Sequence, residues 1–176
     1  MKRPYRLPGA PVFSVLSPEN PPKLATMSQV LERRHNPIRQ FAVFMENKLG
    51  RLHDLIRVLY ENEIHVMAMT VLDTTDSSIL RIIVDDHERA KTIFKNHQFH
   101  YNESPVLVLE MNTAADIHKA LCALLEAEIN IHYTYSFVTR PNGKCALALS
   151  VEDSDVASHA LSQCGFHILT RDDITR

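Results

Sequence analysis

Apolar and polar positions along this chain fall into one order of elements, and that order occurs twice. Residues 40–45 are apolar almost throughout, too continuous for clean alternation, and read as a buried strand. Glu46-Asn47-Lys48-Leu49-Gly50 is a turn closed by glycine. Over 50–62, apolar residues recur at Leu52, Leu55, Ile56, Leu59 and Tyr60, the three-four spacing of one inward helical stripe. Residues 64–72 read as a strand, with Ile64, Val66, Ala68, Thr70 and Leu72 expected on one face by period two. A polar turn at 73–77 leads to a return strand at 78–84. Asp85 or Asp86 can cap a helix at 87–96 that points Ala90, Ile93 and Phe94 inward. A short strand at 99–102 follows.

The second half repeats this. Residues 105–111 read as strand, and 114–127 as helix with Ile117, Ala120, Leu121, Leu124 and Leu125 inward. Residues 129–139 and 145–151 read as a hairpin, joined by 140–144, where Asn142-Gly143 supplies left-handed backbone at little cost. Asp153 or Ser154 starts a helix to about Gln163, Gly165 ends it, and 166–170 is the last strand. Asn47 and Asn112, Leu52 and Ile117, Glu63 and Glu128, and Ile64 and Ile129 all share an offset of 65. After the hairpin, Val84-Asp85-Asp86 meets Val151-Glu152-Asp153 at an offset of 67. Self-similarity at a fixed period speaks of architecture first.

Each copy is β-α-β-β-α-β, which predicts an α+β protein of two ferredoxin-like units with antiparallel sheets, the helices on one face of each. The expected division is a proline-rich arm at 1–38, a first unit at 39–104 and a second at 105–176. Six of the nine prolines lie in the first 25 residues of that arm, where they lack ladder and helix donors. Within it, 12–16 can pack as a strap or edge strand, and 27–35 can form a short helix capped by Ser28. The face opposite the helices is apolar in both units and must be covered. Side-by-side pairing into an eight-stranded sheet, or sheet-on-sheet packing in an oligomer, would cover it.

Composition narrows the function classes. With 176 residues, 45% hydrophobic and 23% charged, the chain reads as soluble and globular. A net charge of -2 builds no cationic track for nucleic acid. No apolar run reaches membrane-spanning length, and a cytosolic setting is expected. Cys122, Cys145 and Cys164 are odd in number and widely spaced, so no disulfide framework or zinc pattern follows. His97-x-x-His100 lacks a third ligand, and no phosphate loop or dinucleotide fingerprint is present. No catalytic residue, metal or cofactor is expected.

The turn before the first helix is the candidate site. Gly50 stands where a strand turns sharply into a helix, and the amides of Leu49, Gly50 and Arg51 point outward as a seat for a carboxylate. The alternative is a tight turn with Asn47 as a cap. Asn47 to Leu52, followed by a helix and Glu63-Ile64-His65-Val66, resembles the ACT domain, and the duplicated order is similar to a tandem pair over about 39–170. The resemblance implies an amino-acid-binding regulatory module acting beside an enzyme of amino-acid metabolism. It places ligand contacts at Asn47, Leu49, Gly50, Arg51 and Leu52, with His65, Val66, Met67 and Ala68 of a neighbouring strand facing them, in a homo-oligomer. The surroundings of Leu49, Val66 and Met67 suit an apolar, branched-chain amino acid. Copy two departs from the motif: Ala115 replaces glycine, and Asp116 in the first turn competes for the helix-start amides. His132, Tyr133 and Tyr135 are either a ligand wall or interface packing. The rival reading of the whole chain is an interaction scaffold without a small-molecule ligand.

Overall fold

A computed structural model describes residues 36–73 and 77–175. The expected strap at 12–16 and helix at 27–35 lie outside the described residues. The first unit runs β1 (Arg39–Glu46), α1 (Arg51–Glu61), β2 (Val66–Asp73), β3 (Ser77–Val84), α2 (His87–Asn96) and β4 (His100–Pro105). The second runs β5 (Leu107–Met111), α3 (Ala115–Glu126), β6 (Ile131–Ser136), β7 (Cys145–Val151), α4 (Ser154–Gln163) and β8 (Ile168–Leu169). Each unit forms a four-stranded antiparallel sheet, ordered β2-β3-β1-β4 and β6-β7-β5-β8. This is the ferredoxin-like order the repeat predicts.

The helices start where capping chemistry is available. Asp86 accepts from the Arg89 amide at 3.0 Å to open α2, and Asp153 accepts from the Asp155 and Val156 amides at 3.0 Å to open α4. The 140–144 connection contains a 3-10 turn, with Asn142 at φ 53° and Gly143 at φ 77°, the left-handed backbone their identities predict.

Strand alternation divides the core into three parts. Phe41, Val43, Leu80 and Ile82 meet Leu55 and Leu59 of α1 and Phe94 of α2. Leu109, Leu147 and Leu149 meet Leu124 of α3 and Leu161 of α4. Between these, Ala68 and Ile83 of the first sheet pack on Val108, Tyr135, Ala146 and Ala148 of the second. The two sheets therefore stack face to face within one chain, as an α/β/β/α sandwich. Of the two expected arrangements, neither the eight-stranded sheet nor the oligomer is what covers these faces. The sandwich is stitched at both edges, by an antiparallel bridge between Ala68 and Phe137 and another between Pro37 and Thr170.

Two expectations are corrected. The strict period over 64–72 fails, because the β2–β3 register shifts between Val66 and Ala68. Val66 and Met69 face the helices, while Ala68 faces the second sheet. The matching shift occurs in β6 between Ile131 and Tyr133. A bulge turns a backbone group out of its ladder, and here the Met67 carbonyl accepts the Val138 amide of the other unit at 2.8 Å. The helical stripes are also narrower than expected. In α1 only Leu55, Val58 and Leu59 are buried, and in α3 only Ala120, Ala123 and Leu124. Leu52, Tyr60, Ile117, Leu121 and Leu125 stay exposed.

A buried polar cluster joins the two units. Gln40, fully buried, donates to Ser104 Oγ at 2.9 Å and accepts from Tyr135 Oη at 2.7 Å. It also contacts the Tyr133 hydroxyl, which Arg81 reaches at 3.1 Å with its guanidinium 3.9 Å from the Tyr133 ring centroid. Burial pushes the Tyr135 hydroxyl well above the ordinary phenol range. Tyr133 and Tyr135 do share one face, and that face is spent on inter-unit packing.

Candidate functional site

The turn from β1 to α1 is held by its own backbone. The Lys48 amide donates to the Glu46 carbonyl at 2.8 Å, and the Arg51 amide reaches the Lys48 carbonyl at 3.3 Å. Gly50 is the residue that enters the helix, at φ 90° and ψ -21°, a left-handed conformation that a Cβ disfavours. Space is not the reason, because a Cβ built on Gly50 meets nothing within 4 Å. No side chain caps this helix, and among the described residues no protein acceptor takes the amides of Leu49, Gly50 or Leu52. Leu49 projects fully into solvent. Asn47 is already engaged within the protein.

Copy two is different in two ways. Asp116 Oδ2 accepts the amides of Asn112 at 2.8 Å and Thr113 at 3.0 Å. Those backbone bonds, Thr113 first and Asn112 next, hold its carboxyl below the usual aspartate range. The turn is also one residue shorter. Buried Met45 and Met111 are equivalent at an offset of 66, whereas buried Leu59 and Leu124 are equivalent at 65. Asn112 therefore does not stand where Asn47 stands. Ala114 enters α3 in right-handed geometry, at φ -62°. One helix start is open, and its copy carries its own carboxylate.

The expected site residues fall at two ends of one sheet. Glu46 pairs with Ser77 and Val66 with Val84, and the seven steps along β3 from one to the other span roughly 23 Å. Asn47, Leu49, Gly50, Arg51 and Leu52 lie at one end, and His65, Val66 and Met67 at the other. His65 is held there by Asp85, whose Oδ1 accepts the His65 amide at 2.9 Å and whose Oδ2 lies 2.8 Å from the ring Nδ1. Within one chain the two groups do not meet.

Beside the Gly50 turn is an open groove of about 570 Å³. Phe44, Met45 and Phe99 give it an apolar floor, and Glu46, Arg51, Gln98 and His100 rim it. Of these only Arg51 was expected at the site. Gln98, Phe99 and His100 come from the α2–β4 junction, more than 40 residues away along the chain, and only the pairing of β4 beside β1 brings them in. Among the described residues no group of three or more His, Cys, Asp or Glu side chains is placed to hold a metal. No helix among them is long and apolar enough to cross a membrane.

A tandem pair of β-α-β-β-α-β units, each with its own antiparallel sheet, defines the class of protein as a duplicated ferredoxin-like module. The chain belongs to the ACT domain pair family, whose model matches residues 36–172. A solved structure of a protein from Bacteroides thetaiotaomicron is similar at 26% identity and a TM-score of 0.72, covering 80% of this chain and 96% of that one. The ligand-free regulatory subunit of aspartate kinase from Thermus thermophilus has the same fold at 12% identity and a TM-score of 0.53, covering 74% and 91%. The regulatory subunit of aspartate kinase from Thermus flavus has it at 13% identity and a TM-score of 0.50, covering 74% and 94%. A search of curated proteins returned no match.

Proposed function

We propose that this chain senses a free amino acid at the Gly50 turn and controls an enzyme of amino-acid metabolism. The observation that carries the reading is the contrast between the copies. Copy two caps its helix start with the Asp116 carboxylate, and copy one has no side-chain cap there, with the amides of Leu49, Gly50 and Leu52 taken by no acceptor among the described residues. Backbone donors at a helix start, aided by the helix dipole, suit a carboxylate. In this reading the ligand carboxylate is held by the open amides of Leu49, Gly50 and Leu52. The groove floor of Phe44, Met45 and Phe99 suits an apolar side chain, and Arg51 lies on its rim. Family membership and the aspartate kinase regulatory subunits that share the fold make an amino-acid-metabolism enzyme the expected partner.

Calorimetric titration of the full chain with each amino acid tests this. Saturable micromolar binding at one ligand per chain is expected. Gly50→Ala should weaken it about 10-fold, because holding alanine in the left-handed region costs about 1–2 kcal/mol. At a ligand concentration of about 100 Kd the protein should gain about 2.7 kcal/mol of stability. Absence of heat with every amino acid would leave the scaffold reading in its place.

A further inference from the structure

The second sheet does not cover the first from end to end. On the face of the first sheet that meets the second, side chains form rows across the strands. Ala68 and Ile83 belong to the row buried in the middle layer. Thr70, Arg81 and Ala42 form the next row, and Leu72, Ile79 and Phe44 the one after it, by the register of β2, β3 and β1. This outer row is apolar and bare. Leu72 is 54% exposed and Phe44 44%, with Ile79 partly exposed between them. Three neighbouring strands make it a continuous shelf about 10 Å across. Copy two has no such shelf. Its equivalents are Phe137, Ala146 and Glu110, at offsets of 65, 67 and 66, where Ala146 is buried and the Glu110 carboxylate holds Lys144 at 2.5 Å.

Arg81 stands one row in from the shelf, about 7 Å along the strand. It is partly buried, with its guanidinium 3.9 Å from the Tyr133 ring centroid and Nη1 donating to Tyr133 Oη at 3.1 Å. A guanidinium carries five N–H donors in a fork that matches a carboxylate. Among the described residues the Tyr133 hydroxyl is the one acceptor that Arg81 reaches, and no carboxylate pairs with it. The neighbouring cations differ: Arg39 and Lys91 both reach Glu103. A cation drawn partly out of water without a counter-charge is unfavourable, and an anion at Arg81 would relieve it.

We propose that this opening between the sheets binds an apolar monocarboxylate, with its carboxylate on Arg81 and its hydrocarbon along Leu72, Ile79 and Phe44. Among the described strand residues on this face the one carboxylate is Glu46, two rows and about 14 Å along the strand from the Arg81 row, and it is already paired with Lys48 at 2.7 Å. An α-ammonium group would find no counter-charge beside Arg81. The ligand class is therefore a carboxylate without one, a fatty acid or an α-keto acid. The site shares Phe44 with the groove at the Gly50 turn but has its own anion seat, so it does not rest on the amino-acid reading.

Calorimetric titration of the full chain with octanoate, and separately with the α-keto acid analogue of leucine, tests the site and distinguishes the two sources. Saturable binding of either at one ligand per chain is expected, and the tighter of the two names the source. Arg81→Gln should weaken it about 10–100-fold. Leu72→Ser, at an exposed position, should weaken it several-fold, and octanamide, which has the same chain without the charge, should bind at least about 10-fold more weakly than octanoate. Circular dichroism checks the fold of each variant; should Arg81→Gln not fold, octanamide and Leu72→Ser decide. No saturable binding of either acid, or octanamide binding as tightly as octanoate, would overturn the site. Binding that Arg81→Gln leaves intact would put the carboxylate elsewhere, the Gly50 turn included, and overturn it equally.

Discussion

Among the described residues, the four α-helices end with the same pair of backbone bonds, but only one ends on glycine. At α1 the Glu63 amide donates to the Tyr60 carbonyl and the Ile64 amide to the Leu59 carbonyl, and equivalent pairs close α2, α3 and α4. The left-handed residue is Glu63, Gln98 and Glu128 in the first three, at φ 57–58°, and Gly165 in the fourth, at φ 82°. Gly165 announces its turn in the sequence; the other three have no such signal. Gln98→Gly should therefore stabilise by about 0.5–1 kcal/mol, and Gly165→Ala should destabilise by about 1–2 kcal/mol, in urea unfolding with an unchanged m-value. Glu103 makes a pH prediction at the same scale. Burial would raise its pKa, but the hydrogen bonds of Lys91 at 2.8 Å and His87 at 2.9 Å win and bring it to about 2. A depressed carboxyl pKa stabilises the fold fully above its unfolded value of 4.5, and that stability is lost as pH falls toward 2. Glu103→Gln should lower the melting temperature at about pH 7 and flatten its decline between pH 4.5 and 2. A parallel decline in both proteins would show that the ion cluster is not linked to folding.

At the scale of elements, the order of strands and helices was legible because each carries its own local period. What each face packs against was not. The five-position stripe read in α1 covers an arc wider than one sheet can bury, so its flank at Leu52 and Tyr60 remains outside. Likewise the bulges at Met67 and at the β6 start have no composition signal, yet both copies share them. The open turn was half legible. Gly50 pointed to it and Asp116 to its closure in copy two, but the single-residue shortening emerges only when Met45 and Met111 are placed on equivalent faces. Gln40 was read as part of a continuous apolar strand, and its polar side chain is one of those that tie the units together. Its partners are more than 60 residues away. Gln40→Leu should cost about 1–3 kcal/mol by stranding the Tyr135 hydroxyl, and the loss should shrink in a Tyr135→Phe background. Additive losses in that cycle would mean that the two side chains act independently.

The whole molecule has one structural dependence that neither half can escape. Each sheet buries one face against its own helices and the other against its sister sheet. Ala68 and Ile83 have no cover without Tyr135, Ala146 and Ala148, and the reverse holds equally. A unit of about 65 residues is already marginal when fully packed, and one with a bare apolar sheet face is worse. Ile38 and Val106, which flank the first unit in sequence, are buried in this same middle layer, and the Val106 amide donates to the Ile38 carbonyl at 2.9 Å. The connection between the halves is thus part of the core and not a tether. Calorimetric unfolding of the full chain should therefore be one transition, with van't Hoff and calorimetric enthalpies equal. A fragment ending at Pro105 should be aggregated or molten. Two resolved transitions, or a fragment that is monomeric with fixed near-ultraviolet dichroism, would make the units autonomous. A ligand at the Gly50 turn would then stabilise only the first transition; in the single cooperative body argued here, it must raise the melting temperature of the second unit by the same amount as the first.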